Sequence, residues 1–469
     1  MPVPVTGTDR LLAGGSDGPG ALRPMVDTVL DALAAGVAER PGPLPAGGPV
    51  VVALRVRDAV EPVIPAVGEG AHGALRALVR ALAAGAADPA DPRCAAHLHC
   101  PPLAVAAAAD LAVSALNPSL DSWDQAPAAC ELEALTCRAL ARLVHPHGPA
   151  PDALVTTGGT ESNQLALVLA REAARVAGAT TPLRIVCGAN AHHSVHRAAW
   201  LLGLPAPLTL PTPAGVLDPA CLDDALGALA GHPVLAVATA GTTDTGAIDP
   251  LPRIADVCDR HAAALHIDAA YGGPLLFSDA LRDRLDGLDR ARSVTLDLHK
   301  LGWQPVAAGL LAVPDAAALA PLAHRADYLN ADDDTDAGFP DLLGRSHRTT
   351  RRPDILKVAV TLRALGRHGL GELIDRVCAA ARHLADLIEA SPRLELHARP
   401  TISTVLFRPA GARPSAVAAL RRRLLYDGTA VLGRAITPEG LWLKATLLNP
   451  YTQPSDLRGL LALVEGNTP

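Results

Sequence analysis

ALHIDAAYGG (264–273) and SVTLDLHK (293–300) are the two runs on which the fold turns. Each opens on an apolar stretch too unbroken for a strand with one wet face, and each ends abruptly on polar or charged residues. Strands covered on both faces read this way. Working outward, similar runs recur at ALVTT (153–157), LRIVCG (183–188), VLAVATA (234–240) and GLLAV (309–313). Helix-length connectors separate most of them, which predicts an α/β fold with a mainly parallel sheet and crossover helices over 150–315. Ligands of such sheets bind outside the carboxyl ends of the strands.

The flanks read differently. ALRPMVDTVLDALAAGVAER (21–40) and AHGALRALVRALAAGA (71–86) have helical periodicity, and the Pro/Gly-rich stretch between them reads as a linker. Residues 94–147 end in a good amphipathic helix. From 354 a long helix, DILKVAVTLRALGRHG, leads to a closing α+β portion with strands near 394–408 and 441–447. The organisation expected is an N-terminal helical segment over 1–90, a large domain over 91–353 and a small α+β domain over 354–469.

Composition narrows the function classes. With 49% hydrophobic and 19% charged residues, the 469-residue chain has ample material for a core. A formal net charge of −7 and the lack of basic runs interleaved with aromatics argue against a nucleic-acid partner. The start, MPVPVTGTDRLLAGGSDG, lacks the pattern of a secretory signal, and no stretch is long and apolar enough to span a bilayer. Eight scattered cysteines without a CxxC pair read as free thiols in a reducing cytoplasm. No metal set is expected.

Basic residues number 41, yet only Lys300, Lys357 and Lys444 are lysines. A chain that uses arginine almost everywhere keeps lysine by drift, or where a primary amine is needed, because guanidinium cannot deprotonate to act as a nucleophile. Four polar motifs end or follow the strands. In TTGGTESNQLALVLAREAA (156–174) two glycines allow a tight turn into a helix whose N-terminus can hold an anion, although Gly-Gly-Thr before a helix is more often just a turn and cap. ANAHHSVHRAA (189–199) places His192 and His193 side by side, poor spacing for zinc and better suited to a ring packed on a cofactor. Asp268 closes an apolar strand, either capping the next helix or pairing with a protonated ring nitrogen. Lys300 follows another strand 32 positions later, where apolar surroundings favour a neutral amine.

Taken together with HLHCPP (97–102), NPSLDSWDQ (117–125), TAGTTDTGAIDPL (239–251), QPV (304–306), ADYLN (326–330), RTTRRPDILK (348–357) and LKATLLNP (443–450), these motifs resemble the pyridoxal 5'-phosphate (PLP)-dependent group II amino acid decarboxylases. The resemblance covers roughly residues 90 to 450 and is nearest to the siderophore-type branch acting on lysine or L-2,4-diaminobutyrate. It implies the aspartate aminotransferase-like (type I) fold, with Lys300 carrying PLP as a Schiff base. It implies that His192 stacks on the pyridine ring and that Asp268 pairs with the ring nitrogen. Gly159, Thr160 and His299 would hold the phosphate, Thr243 would support the ring hydroxyl or His192, and Ala270 would pack on the opposite face. A homodimer with active sites at the interface is implied as well, built partly by the N-terminal helices.

The sequence departs from the branch at Leu301 and Gly302, where aromatics are usual, and at Ala307, Ala308, Gly309 and Pro353. These changes bear on the shape of the substrate, a basic L-amino acid by resemblance (lysine, ornithine or 2,4-diaminobutyrate). They leave open an enzyme of the same fold that oxidises the carbanion to an aldehyde; a non-catalytic homologue is the reading from another class. Asp332, Asp333, Asp334 and Asp336 in NADDDTDAGF (330–339) could draw a cationic side chain, but a solvated acidic loop explains them better, because charge runs are usually just surface.

Overall fold

A computed structural model describes residues 12–323 and 326–467, so most of the N-terminal run read for a secretory signal lies outside the described residues. The chain begins with three helices, α1 (Gly18–Ala38), α2 (Gly48–Val60) and α3 (Ala71–Gly85). Helix α2 corrects an expectation, since this Pro/Gly-rich stretch read as a linker. Its run of valines is a poor helix former. Pro49 suits the first helical turn, and packing on α3 supplies what intrinsic propensity does not.

Next come β1 (Cys94–Ala95), α4 (Ala104–Leu116) and α5 (Pro127–Val144). The large sheet follows with β2 (Asp152–Thr156), β3 (Arg184–Gly188), β4 (Leu208–Leu210), β5 (Val234–Thr239), β6 (Ala264–Asp268), β7 (Ser293–Asp297) and β8 (Gly309–Val313). Their spatial order is β2-β8-β7-β6-β5-β3-β4. Strands β4, β3, β5, β6 and β7 run parallel, and β8 alone runs against its neighbours β7 and β2. The six apolar runs are six of these strands. Every residue of β2, β7 and β8 is buried, as two covered faces require. The cover comes from α6 (Gly159–Val176), α7 (Ser194–Leu201), α8 (Pro219–Ala228), α9 (Leu251–Arg260) and the long helices on either side. The one-turn α10 (Leu298–Leu301) continues directly from β7.

Beyond the sheet, the short α11 (Asp327–Asn330) and α12 (Asp332–Asp336) lead to α13 (Ile355–Glu389). Helix α13 is interrupted at Gly366, whose φ of 65° favours glycine. Then β9 (Leu394–Leu396), β10 (Thr404–Pro409), α14 (Pro414–Tyr426), β11 (Val431–Thr437), β12 (Gly440–Thr446) and α15 (Pro454–Gly466) complete the chain. The second sheet has the order β1-β11-β12-β10-β9, antiparallel except where β1 pairs with β11. Residues 94–95 therefore tie the segment before the large sheet to the C-terminal one. Among the described residues no helix is long and apolar enough to cross a membrane.

Candidate active site

Parallel pairing brings the carboxyl ends of three central strands into line. Thr239 of β5 stands opposite Asp268 of β6, and Asp268 opposite Thr295 of β7. At the same edge β2 ends at Thr156, and the chain turns through Thr157 and Gly158 into α6. The turn is held by Glu161, whose Oε2 accepts from both the backbone N–H and the hydroxyl of Thr157 at 2.6 Å. Glycine is needed here for closeness. A Cβ on Gly159 would lie 3.1 Å from the Ala270 Cβ and 3.2 Å from Asp297 Oδ2.

Asp268 is buried and fully engaged. Its Oδ2 accepts from Asn163 Nδ2 at 2.8 Å and its Oδ1 from the Ala270 N–H at 3.1 Å. Both oxygens are thereby held in place by donors from the protein. From the end of β7, α10 turns His299 and Lys300 toward the same edge. Lys300 Nζ lies 2.9 Å from Asp297 Oδ2, and His299 Nε2 lies 3.7 Å from that oxygen. The other two lysines are otherwise employed: Lys357 is buried beside Asp354 and Asp110, and Lys444 Nζ donates to the Thr243 carbonyl at 3.0 Å.

These groups enclose a cavity of about 310 Å³. All eight residues named from the sequence line it: Gly159, Thr160, His192, Thr243, Asp268, Ala270, His299 and Lys300. Asp297 lines it too, and sequence reading missed this residue, although its spacing three positions before Lys300 put it within reach. Asn163 was also missed, although it stands inside TTGGTESN; its partner Asp268 is 105 positions away. A larger hollow of about 940 Å³ opens beyond His192, toward Arg399 and Glu439. No lysine lines it, so the smaller cavity holds the chemistry. His193 lines the larger hollow and touches the His192 ring at 4.1 Å between centroids, while His196 lines neither. Burial pushes both His192 and His299 below the ordinary histidine range, so both rings are neutral at pH 7.

The cavity can be tested against PLP by what it leaves unsatisfied. His299 Nδ1 and Asp297 Oδ1 are buried atoms without a hydrogen-bond partner in the structure. The N-terminus of the 18-residue α6 opens onto the same space through Gly158, Gly159 and Thr160. An anion is favoured at such a terminus. An amine, a carboxylate and a flat neutral ring share the remaining wall. The set fits a phosphate-bearing pyridine aldehyde in size and in donor chemistry.

Two other sequence features lie away from this wall. Leu301 and Trp303 are buried in the core, and Trp303 Nε1 donates to the Leu448 carbonyl at 2.7 Å. None of Asp332, Asp333, Asp334 and Asp336 lines the cavity; α12 is exposed along its length. The Arg351 of RTTRRPDILK makes a buried two-pronged pair with Glu133, at 2.8 and 2.6 Å.

Comparison with known proteins agrees with this geometry. Residues 60–410 match the model of the pyridoxal-dependent decarboxylase conserved domain. The chain is 40% identical over 413 residues to the L-2,4-diaminobutyrate decarboxylase of Rhizobium meliloti (strain 1021), covering 85% of this chain and 82% of that protein. It is 34% identical to the Acinetobacter baumannii enzyme of the same name, over 80% of this chain and 79% of the other. Among solved structures, the glutamate decarboxylase domain of a Vibrio parahaemolyticus diaminobutyrate-pyruvate transaminase and L-2,4-diaminobutyrate decarboxylase superposes with a TM-score of 0.85. That match is 32% identical and covers 97% of each chain. A family model spanning most of the sequence, an aspartate aminotransferase-like fold and a lone cavity lysine agree, and the chain belongs to the pyridoxal-dependent decarboxylases, enzymes that use PLP to remove the carboxyl group of an amino acid.

Proposed function

We propose that the substrate is a basic L-amino acid, with L-2,4-diaminobutyrate first and lysine and ornithine next, and that Lys300, His192 and Asp268 carry the reaction. The observation behind the site is that, of three lysines, only Lys300 presents its amine to the cavity that also holds an engaged carboxylate and a neutral histidine. The substrate class rests on the two diaminobutyrate decarboxylases that match most of this chain.

PLP, when bound, supplies an electron sink for the pair left behind by departing CO₂. Lys300 is the amine that holds it. Asp268, held in place by Asn163 and the Ala270 N–H, would pair with the ring nitrogen. His192, lowered by burial, would stack on the ring without adding charge. Ala270 would pack on the other face, Thr243 would support the ring hydroxyl or His192, and Gly159, Thr160 and His299 would hold the phosphate.

Two further readings accompany this one. Leu30, Leu33, Val50, Leu54, Leu78 and Leu82 stand exposed on the three N-terminal helices, an apolar surface that supports homodimerisation through residues 1–90. The large domain would then span 91–353 and the small one 354–469. All eight cysteines are free thiols, which supports a cytoplasmic setting. The decisive assay is mass spectrometry of products from PLP-supplied enzyme with basic and acidic L-amino acids. An amine from a basic substrate is the expected result. Turnover of acidic substrates alone would overturn the substrate class, and an aldehyde would overturn simple decarboxylation.

A further inference from the structure

Asp268 closes β6 and His192 sits in the turn between β3 and α7, yet one buried amide is bonded to the first directly and to the second through Ser194. Asn163 stands one turn into α6 with no exposed surface. Its Nδ2 donates to Asp268 Oδ2 and to Ser194 Oγ, each at 2.8 Å. Its Oδ1 accepts from Thr295 Oγ1 at 2.8 Å and faces His266 Nε2 at 3.1 Å. All four hydrogen-bonding positions of the amide are therefore used. A flipped amide would set its oxygen against the Asp268 carboxylate, two acceptors with no proton between them. Asp268 thus fixes which end of Asn163 is which.

That orientation propagates in both directions. With Asn163 Oδ1 as the acceptor, His266 must carry its proton on Nε2. Its Nδ1 lies 2.8 Å from Ser293 Oγ and 3.1 Å from the Ser293 carbonyl, and burial lowers this histidine to about 4. On the other side, Ser194 Oγ accepts from Asn163, so its own proton points to His192 Nδ1 at 2.8 Å. The Ser194 backbone N–H approaches the same nitrogen at 3.4 Å. His192 Nδ1 is an acceptor on both counts, and the ring proton resides on Nε2.

We propose that Asn163 is a positioning residue that sets both flanks of the PLP cavity at once, holding the Asp268 side chain in place through Oδ2 and, through Ser194, fixing His192 as the Nε2–H tautomer. The inference rests on the roles proposed above for Asp268 and His192. It accounts for an asparagine where a helix interior has no intrinsic use for one.

Nuclear magnetic resonance of the full chain with ¹⁵N-labelled histidine, recorded without PLP, reads the tautomer directly. The His192 signal is the one lost in His192→Gln. In the wild type it should show a protonated Nε2 and an unprotonated Nδ1, and in Ser194→Ala it should become a mixture of tautomers. An unchanged signal would mean that the long backbone contact alone sets the ring, and the proposal would fall. The carboxylate arm is tested by Asn163→Asp, which keeps the shape and an acceptor for Thr295 and His266. It sets a second carboxylate against Asp268, so the two must share a proton. PLP affinity measured by absorbance titration should drop about ten-fold, the scale of one charge-assisted hydrogen bond; unchanged affinity in a folded variant would overturn this arm. Neither readout needs a substrate, so failure here is distinguishable from failure of the proposed function, which the product assay reports.

Discussion

Replacing Gly159 with alanine tests whether the turn into α6 is shaped for a bound group or merely for tight packing. The new Cβ would stand 3.1 Å from the Ala270 Cβ, 3.2 Å from Asp297 Oδ2 and 3.6 Å from Thr295 Cγ2. The first two are tighter than normal contact and must give by a few tenths of an ångström. Ala270 and Asp297 both line the cavity, and both are buried at strand ends behind it. The easy direction of retreat is therefore into the space that PLP needs. Overpacking of this size costs about 1–3 kcal/mol. When that cost falls on the loaded state it weakens PLP binding by roughly 5- to 150-fold. The assay is an absorbance titration of the unloaded enzyme with PLP, alongside thermal unfolding without it. Gly459→Ala is the control: it sits in α15 with open space around it, and should leave PLP affinity alone. Affinity within two-fold of wild type for Gly159→Ala would refute the cradle and return Gly159 to the status of an ordinary turn residue.

Lys300→Ala should abolish product formation and leave no PLP attached after borohydride reduction, read by intact mass; normal turnover would remove Lys300 from the chemistry. Glu133→Ala strands Arg351, whose side chain is only 1% exposed, and should cost about 3–5 kcal/mol in chemical denaturation; a loss under about 1 kcal/mol would contradict the pairing. Stability should also fall with acid. His97, His145, His192, His266 and His299 are all held below the ordinary histidine range by burial, so below the ordinary value the unfolded chain binds more protons than the folded one. His266 alone, lowered from 6.5 to about 4, removes on the order of 2 kcal/mol between pH 7 and pH 5. Asp249, raised by burial, pulls the other way; urea midpoints that do not move from pH 7 to pH 5 would contradict the histidine burial.

The large sheet was legible because strands covered on both faces need unbroken apolar runs. Strand β4 was not: Leu208 and Thr209 are exposed, and three residues at a sheet edge leave no periodicity to read. Strand β11 was hidden for a related reason. Gly433 and Arg434 interrupt its apolar pattern, and it is set by pairing with β12 and β1 rather than by its own composition. At the site, rare or costly residue types announced themselves, such as a lysine among arginines and a carboxylate closing an apolar strand. Asn163, Ser194 and Asp297 did not, because their function lies in partners that only the fold brings near.

The acidic segment shows where sequence and structure part on substrate recognition. Four aspartates at 332–336 invite the idea of a trap for a cationic side chain, but α12 is exposed throughout and its residues line neither hollow of their own chain. Their influence on a substrate in the Lys300 cavity must then act through water. At a separation of ~10 Å a unit charge pair in bulk water is worth about 0.4 kcal/mol, and physiological salt screens most of that. Neutralising all four as Asp→Asn should therefore leave KM for a basic substrate within about two-fold at physiological ionic strength, with a larger effect only at low salt. A ten-fold rise in KM that persists in salt would be too large for solvated charges. It would require these aspartates to touch the substrate directly, and in an arrangement where they do not line their own cavity, the touching copies would have to come from a second chain.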